Sequence, residues 1–147
     1  MTPTIRVATP GDFAGVVRLL EGADLPTAGL TPSLPDFLVA EESGRIVGAI
    51  GLEVYGDYGL LRSAVVDASR RNSGLGSDLV ESLLLRAETR GTREIYLLTT
   101  TAERFFPRFG FAAIGRGEVA APVRASAEFR GACPDSAIVM RRVAATG

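Results

Sequence analysis

Residues 70–79, "RRNSGLGSDL", place two arginines, two glycines and several small polar side chains at one turn. The turn lies between a β-like run, "LLRSAVV", and an apolar helix-like run, "LVESLLLRA". Such a turn is an anion cradle, because the first N–H groups of a helix have no partner within it and the helix dipole favours negative charge. Gly74 and Gly76 would let the backbone approach the anion with no Cβ in the way. Arg71 would add charge, and Ser77 a hydroxyl. The stretch lacks the lysine of a P-loop and does not read G-x-G-x-x-G.

A second group of candidates lies just upstream. Glu53 and Arg62 interrupt two otherwise apolar runs. If the hairpin joining those runs turns symmetrically about Asp57 and Tyr58, Glu53 lies directly across from Arg62 on one sheet face. Charges in such strands cost free energy even when paired. One reading is a structural cross-strand ion pair. In the other, Arg62 grips an anionic group of a substrate with its two-pronged guanidinium. Glu53 would then orient Arg62, bind an amine, or act as a base through a water. Ser63 and the hydroxyls of Thr99 to Thr101 could bind polar substrate atoms, although β-propensity accounts for the threonines equally well. Cys133, in "GACPDS", has no neighbour in sequence that would activate it as a nucleophile.

Composition narrows the chemistry. With 147 residues, 46% of them apolar and 22% charged, the chain reads as one folded domain over residues 1–147. A net charge of −1, with arginine supplying every cation, gives no general attraction to nucleic acid or to an anionic membrane. Zero histidines remove histidine bases, histidine triads and histidine metal ligands, and one cysteine makes no internal disulfide or multi-cysteine zinc site. No metal is expected. The chain has no run of 18 or more apolar residues and no signal-peptide pattern at its start, so a cytoplasmic location is expected.

The elements that must position these residues follow from periodicity. "TIRVATPGDFAGVVRLLEGADL" gives a strand, then a helix after the Pro-Gly-Asp turn. Three prolines and a glycine over residues 25–35 predict a loop. "FLVAEESGRIVGAIGLEVYGDYGLLRSAVV" gives three strands, with the first turn at Glu42 to Arg45. Leu75, Leu79, Val80, Leu83, Leu84 and Ala87 share one face of the next helix, which Gly91 stops. "EIYLLTT" reads as a strand, "AERFFPRF" as a short helix, "GFAAIGRGEV" as a strand, "VRASAEFR" as a small helix and "SAIVMRRV" as a closing strand. The order predicts an α/β fold with a mixed sheet covered by helices.

"RNSGLG" also resembles the Arg/Gln-x-x-Gly-x-Gly/Ala signature of the GNAT N-acetyltransferase superfamily, and it follows a hydrophobic strand and opens a long helix as it does there. With "LVAEESGRIVGAIGL" before it and "FFPRFGF" after it, the likeness spans the chain from "IRVATPGD" to "SAIVMRR". Within the superfamily, "YLLTTTAERFFPRFGF" and "RASAEFRGACPDSAIVMRR" look like the arsinothricin N-acetyltransferases and the acetyltransferase domain of N-acetylglutamate synthases. The resemblance implies a GNAT fold with a central twisted sheet of about six to seven strands. It implies acetyl-coenzyme A as co-substrate, its pyrophosphate held by Arg71, Asn72, Ser73, Gly74, Leu75, Gly76 and Ser77. The pantetheine would pair with the backbone of Val65 and Val66 where "LRSAVV" and "EIYLLTT" splay apart, and an amide at Val65 would stabilise the oxyanion. Thr101 would line the cofactor, and Phe105 and Phe106 would pack against it or against the core.

Many members carry a tyrosine where this chain has Phe106, four residues before Gly110, so the usual proton donor to the leaving thiolate is missing. The resemblance implies a small anionic amino acid as acceptor; the reading of the residues above would put Arg62, Ser63 and Thr99 on it, with Glu53 as base. Arsinothricin or phosphinothricin leads, in an arsenic-resistance setting, with direct attack by the neutral amine. The alternatives are glutamate acetylation for arginine biosynthesis, acetylation of a protein N-terminus, and a non-catalytic coenzyme A-binding module. A homodimer through the C-terminal strands is compatible with the pattern, which holds no direct sign of one.

Overall fold

The computed structural model describes residues 3–134 and 136–144, so the ends of the expected 1–147 domain and Asp135 of its C-terminal motif lie outside the description. The chain runs β1 (Thr4–Val7), α1 (Phe13–Gly22), β2 (Phe37–Glu42), β3 (Arg45–Tyr55), β4 (Tyr58–Val66), α2 (Leu75–Thr89), β5 (Glu94–Thr99), β6 (Ala112–Ile114) and β7 (Ile138–Val143). "FPRF" forms a 3-10 turn over Phe106–Phe109, and "VRASAEFR" breaks into short helical turns over Val123–Ala125 and Glu128–Ala132. All seven strands join one sheet in the order β1-β2-β3-β4-β5-β7-β6. Every pairing is antiparallel except β4 with β5, whose connection passes through α2.

Alternation along the strands gives the sheet two apolar faces, one for each long helix. Val47, Ile50 and Leu61 pack against the buried stripe of α2, Leu75, Leu79, Val80, Leu83, Leu84 and Ala87. Val39, Ile46, Ala49 and Val65 pack against Val16, Leu19 and Leu20 of α1 on the other face. A third cluster, Leu60, Tyr96 and Val139 against Val119 and Val123, seats the irregular segment before β7. That segment therefore reaches the same side of β4 as Arg62, two residues on from Leu60.

One expected register is corrected. The β3–β4 hairpin closes on Gly56 and Asp57, with Tyr55 opposite Tyr58, because Gly56 takes the left-handed φ of 64° that a two-residue hairpin turn needs. Glu53 thus faces Leu60, and Arg62 faces Gly51. Glu53 and Arg62 become diagonal neighbours on one face, a separation that an arginine side chain spans. At Gly51 the Phe37 ring lies within 2.6 Å of where a Cβ would stand, so β3 has no room for a side chain opposite Arg62.

Candidate active site

β4 and β5 pair over only three positions, Tyr58 with Glu94, Gly59 with Ile95 and Leu60 with Tyr96. Beyond them the strands separate, and a cleft of about 750 Å³ opens between Leu61–Val66 and Leu97–Thr101. A bulge at this point turns β4 away. Between the pairs Ala49–Val65 and Gly51–Arg62, β3 spends one residue and β4 two, Ser63 and Ala64. Ser63 sits there at φ 59°, a conformation that costs a non-glycine residue roughly 1–2 kcal/mol and marks local strain beside a site.

The hydrogen-bond alternation decides which amides face the cleft. Asp67 donates to the carbonyl of Val47, and Leu52 donates the other way, to Asp36. Residues 47, 49 and 51 of β3 therefore direct their backbone groups at β4, and the N–H and C=O of Val65 are spent on Ala49. This corrects the expectation for Val65, whose side chain also lies in the core beside α1. Val66 is the residue whose backbone groups face the open side.

At the far end, Asn72 (φ 63°) and Gly74 (φ 87°) coil the chain into α2. Leu75 N–H reaches Ser73 Oγ at 3.4 Å, and Asp78 N–H bonds the Gly74 carbonyl at 3.1 Å. The Gly76 and Ser77 amides between them point outward from the helix start. A Cβ on Gly76 would find nothing nearer than 3.7 Å, so the open space there is available to a ligand. Arg71 and Gly76 line the cleft, while Asn72, Ser73, Gly74, Leu75 and Ser77 shape the turn beside it. Ser77 Oγ accepts from Arg108 at 3.1 Å, and the Arg108 guanidinium lies over the Phe105 ring at 5.2 Å. Phe105 and Phe106 line the cleft with their rings edge to face, and Phe106 is buried against Phe111 at 5.7 Å. These residues fit a phosphate-bearing, partly apolar ligand such as coenzyme A.

The acceptor end centres on Arg62, which is 2% exposed. Its Nη1 donates to Glu53 Oε2 at 2.7 Å, its Nη2 to the Pro26 carbonyl at 3.3 Å and its Nε to Ser63 Oγ at 3.0 Å. The loop over residues 25–35 is irregular as expected, and it covers Arg62 through Pro26 and Gly29. Burial pushes the Glu53 carboxyl up, but hydrogen bonds with Tyr55, Arg62 and Ser126 outweigh it and hold the group below its ordinary range. Glu53 lines a smaller cavity behind Arg62 rather than the main cleft. Both facts count against the expected role of Glu53 as base. Thr99 and Thr101 line the cleft, with Thr99 Oγ1 engaged by the Ala102 amide at 2.9 Å.

Sequence reasoning missed Glu128. It lines the cleft from the irregular segment, is 4% exposed, and places Oε2 3.6 Å from Arg62 Nε. Burial pushes its carboxyl up to about 7, with Arg62 pulling down and Glu53 pushing up. Burial and the Glu128 charge in turn push the Cys133 thiol up to about 11, which keeps it protonated and unreactive. Among the described residues no group of three or more Cys, Asp or Glu could hold a metal ion, and no helix is long and apolar enough to cross a membrane.

A bulged strand splayed from its parallel neighbour, with an open helix start at the far end of the cleft, defines a coenzyme A-dependent acyltransferase. The description of the GNAT acetyltransferase domain matches residues 34–113, and the chain belongs to that family of N-acetyltransferases. It is 30% identical over 131 residues to an amino-acid acetyltransferase of Mycobacterium tuberculosis, covering 82% of this chain and 75% of that one. It is also 30% identical to the amino-acid acetyltransferase of Ralstonia nicotianae, but there it spans 26% of the relative's length. Among solved structures, N-acetylglutamate synthase of Neisseria gonorrhoeae complexed with coenzyme A and N-acetyl-glutamate superposes with a TM-score of 0.81 at 20% identity, over 97% of this chain and 35% of that one. A Mycobacterium tuberculosis protein in complex with coenzyme A gives 0.80 at 24% identity, over 97% of this chain and all of that one.

Proposed function

We propose that the chain transfers the acetyl group of acetyl-coenzyme A to the α-amine of a small anionic amino acid of the glutamate type. Arg62 carries this reading. A guanidinium has five N–H groups. Three are engaged by Glu53, Pro26 and Ser63, which leaves two for a carboxylate or arsinate at the acceptor end. Among the described residues Arg71 is the other cation lining the cleft, and it stands at the phosphate end. The names of the relatives, amino-acid acetyltransferases, support the same substrate class.

When bound, acetyl-coenzyme A supplies a thioester carbon for the amine to attack. The Gly76 and Ser77 amides and Arg71 hold its phosphates. The backbone of Val66 holds the pantetheine along the unpaired edge, and the bulge at Ser63 brings amide donors to the reacting carbonyl. Phe106 offers no proton, and a leaving thiol with an ordinary pKa of about 8.5 departs without one. Arsinothricin and phosphinothricin, glutamate analogues whose acidic group suits Arg62, are the preferred acceptors, with glutamate as the alternative.

Thiol release from acetyl-coenzyme A should therefore be stimulated by glutamate, phosphinothricin, arsinothricin or methionine sulfoximine. The glutamate analogues are expected to exceed neutral amino acids at least tenfold in kcat/KM. Stimulation by none of the four would end the substrate assignment. Turnover with peptide amines alone would favour a protein N-terminal acetyltransferase.

A further inference from the structure

We propose that Glu128 takes the proton of the acceptor amine, and that Arg62 couples this step to binding of the acceptor's acidic group. This deepens the function proposed above and rests on it. An α-ammonium has no lone pair, so something in the cleft must remove a proton before the nitrogen can attack. Of the two carboxylates beside Arg62, Glu53 faces the rear cavity and is occupied by Arg62 and Tyr55. Glu128 faces the cleft itself, with Arg62 of β4 as its cationic neighbour and Cys133 of its own segment against it. Glu53 of β3 is the remaining titratable group that acts on it among the described residues.

Its elevated proton affinity suits a base working near neutrality. Arg62 sets that affinity. An acidic group arriving on the free N–H groups of Arg62 offsets part of its charge, which weakens its pull on Glu128 and makes Glu128 a stronger base. The amine nitrogen and the base are thus readied by the same binding event.

The step balances. The ammonium gives one proton to the Glu128 carboxylate, and the freed nitrogen lone pair forms the C–N bond as the C–S bond breaks. The second N–H proton passes to the departing thiolate, and Glu128 returns its own to solvent.

The test compares wild type, Glu128→Gln and Glu128→Asp with the best acceptor from the thiol-release screen. Glu128→Gln should lower kcat by about 100-fold or more and remove the acidic limb of the kcat/KM profile near pH 7, with the KM for acetyl-coenzyme A within about threefold. Glu128→Asp should keep the limb at a reduced rate. If Arg62 couples the two, the acidic limb of the wild-type kcat profile should lie at higher pH with glutamate than with methionine sulfoximine, whose side chain brings no negative charge to Arg62, and an identical limb with both would overturn the coupling. Activity of Glu128→Gln within threefold of wild type, or an unchanged limb in that variant, would overturn the proposal. If Glu128→Gln does not fold, the Glu128 carboxyl followed by carbon NMR in wild type decides, because a titration midpoint that differs from the kinetic limb also overturns it. Wild type that acetylates no amine would instead remove the function beneath it, so the two failures are distinguishable.

Discussion

Arg62→Ala is expected to destabilise the protein by about 3–5 kcal/mol, the range found when one partner of a buried ion pair is removed. Arg62 is 2% exposed and is held by a carboxylate, a carbonyl and a hydroxyl that lose their donor together. Glu53, whose side chain is 20% exposed, recovers part of the loss by hydration and keeps its bond to Tyr55. Glu128 does not, and the alanine variant should bind a proton there at a higher pH than wild type. Arg62→Lys keeps the charge but cannot meet Glu53, Pro26 and Ser63 at once, so it should fall between the two. Urea unfolding at pH 8 measures the difference, and a loss below about 1 kcal/mol would show that the guanidinium is not a structural anchor.

Glu128→Gln should do the opposite. The folded carboxyl titrates at about 7 against an ordinary value of 4.5, so between those values the unfolded chain has released a proton that the folded one retains. Stability therefore falls as pH rises through that window and levels off above it. The full effect is on the order of 3 kcal/mol at 1.36 kcal/mol per pH unit. Glutamine keeps the shape without the charge, so the variant should match wild type near pH 4 and exceed it by one to three kcal/mol, roughly, at pH 8. Thermal melts of both proteins from pH 4 to pH 8 would show the curves separating in that window, and parallel curves would contradict the assignment. A group that costs stability where the enzyme works is the usual signature of one retained for chemistry.

Most of the fold was legible because it depends on patterns that survive in any context. The apolar runs of β2 to β4, the apolar stripe of α2 and the glycine turn before it all appear where the sequence puts them. A pair of charges inside apolar strands was legible for the same reason, since it breaks the pattern, and Arg62 and Glu53 do meet. Their register was not, because one glycine adopting a left-handed φ at residue 56 shifts every partner. The orientation of Val65 depends on hydrogen-bond parity across a bulge, and nothing in the residue types reveals a bulge at a serine. Glu128 lies in short helical turns without a period, so no sequence rule says which way its side chain points. The one available hint was its setting, a lone acid among Val123, Ser126 and Phe129, which seat on the sheet.

The three-pair seam between β4 and β5 has a further consequence. The sheet is two half-sheets joined by three residue pairs, and a bound pantetheine would lie where the missing part of a ladder belongs. The donor is then a structural member as well as a reactant. By mass action, acetyl-coenzyme A at about a hundred times its dissociation constant would add roughly 2.7 kcal/mol to the folded state. Each turnover would trade one such splint for another, so the resilience of the molecule in use would follow the supply of its co-substrate.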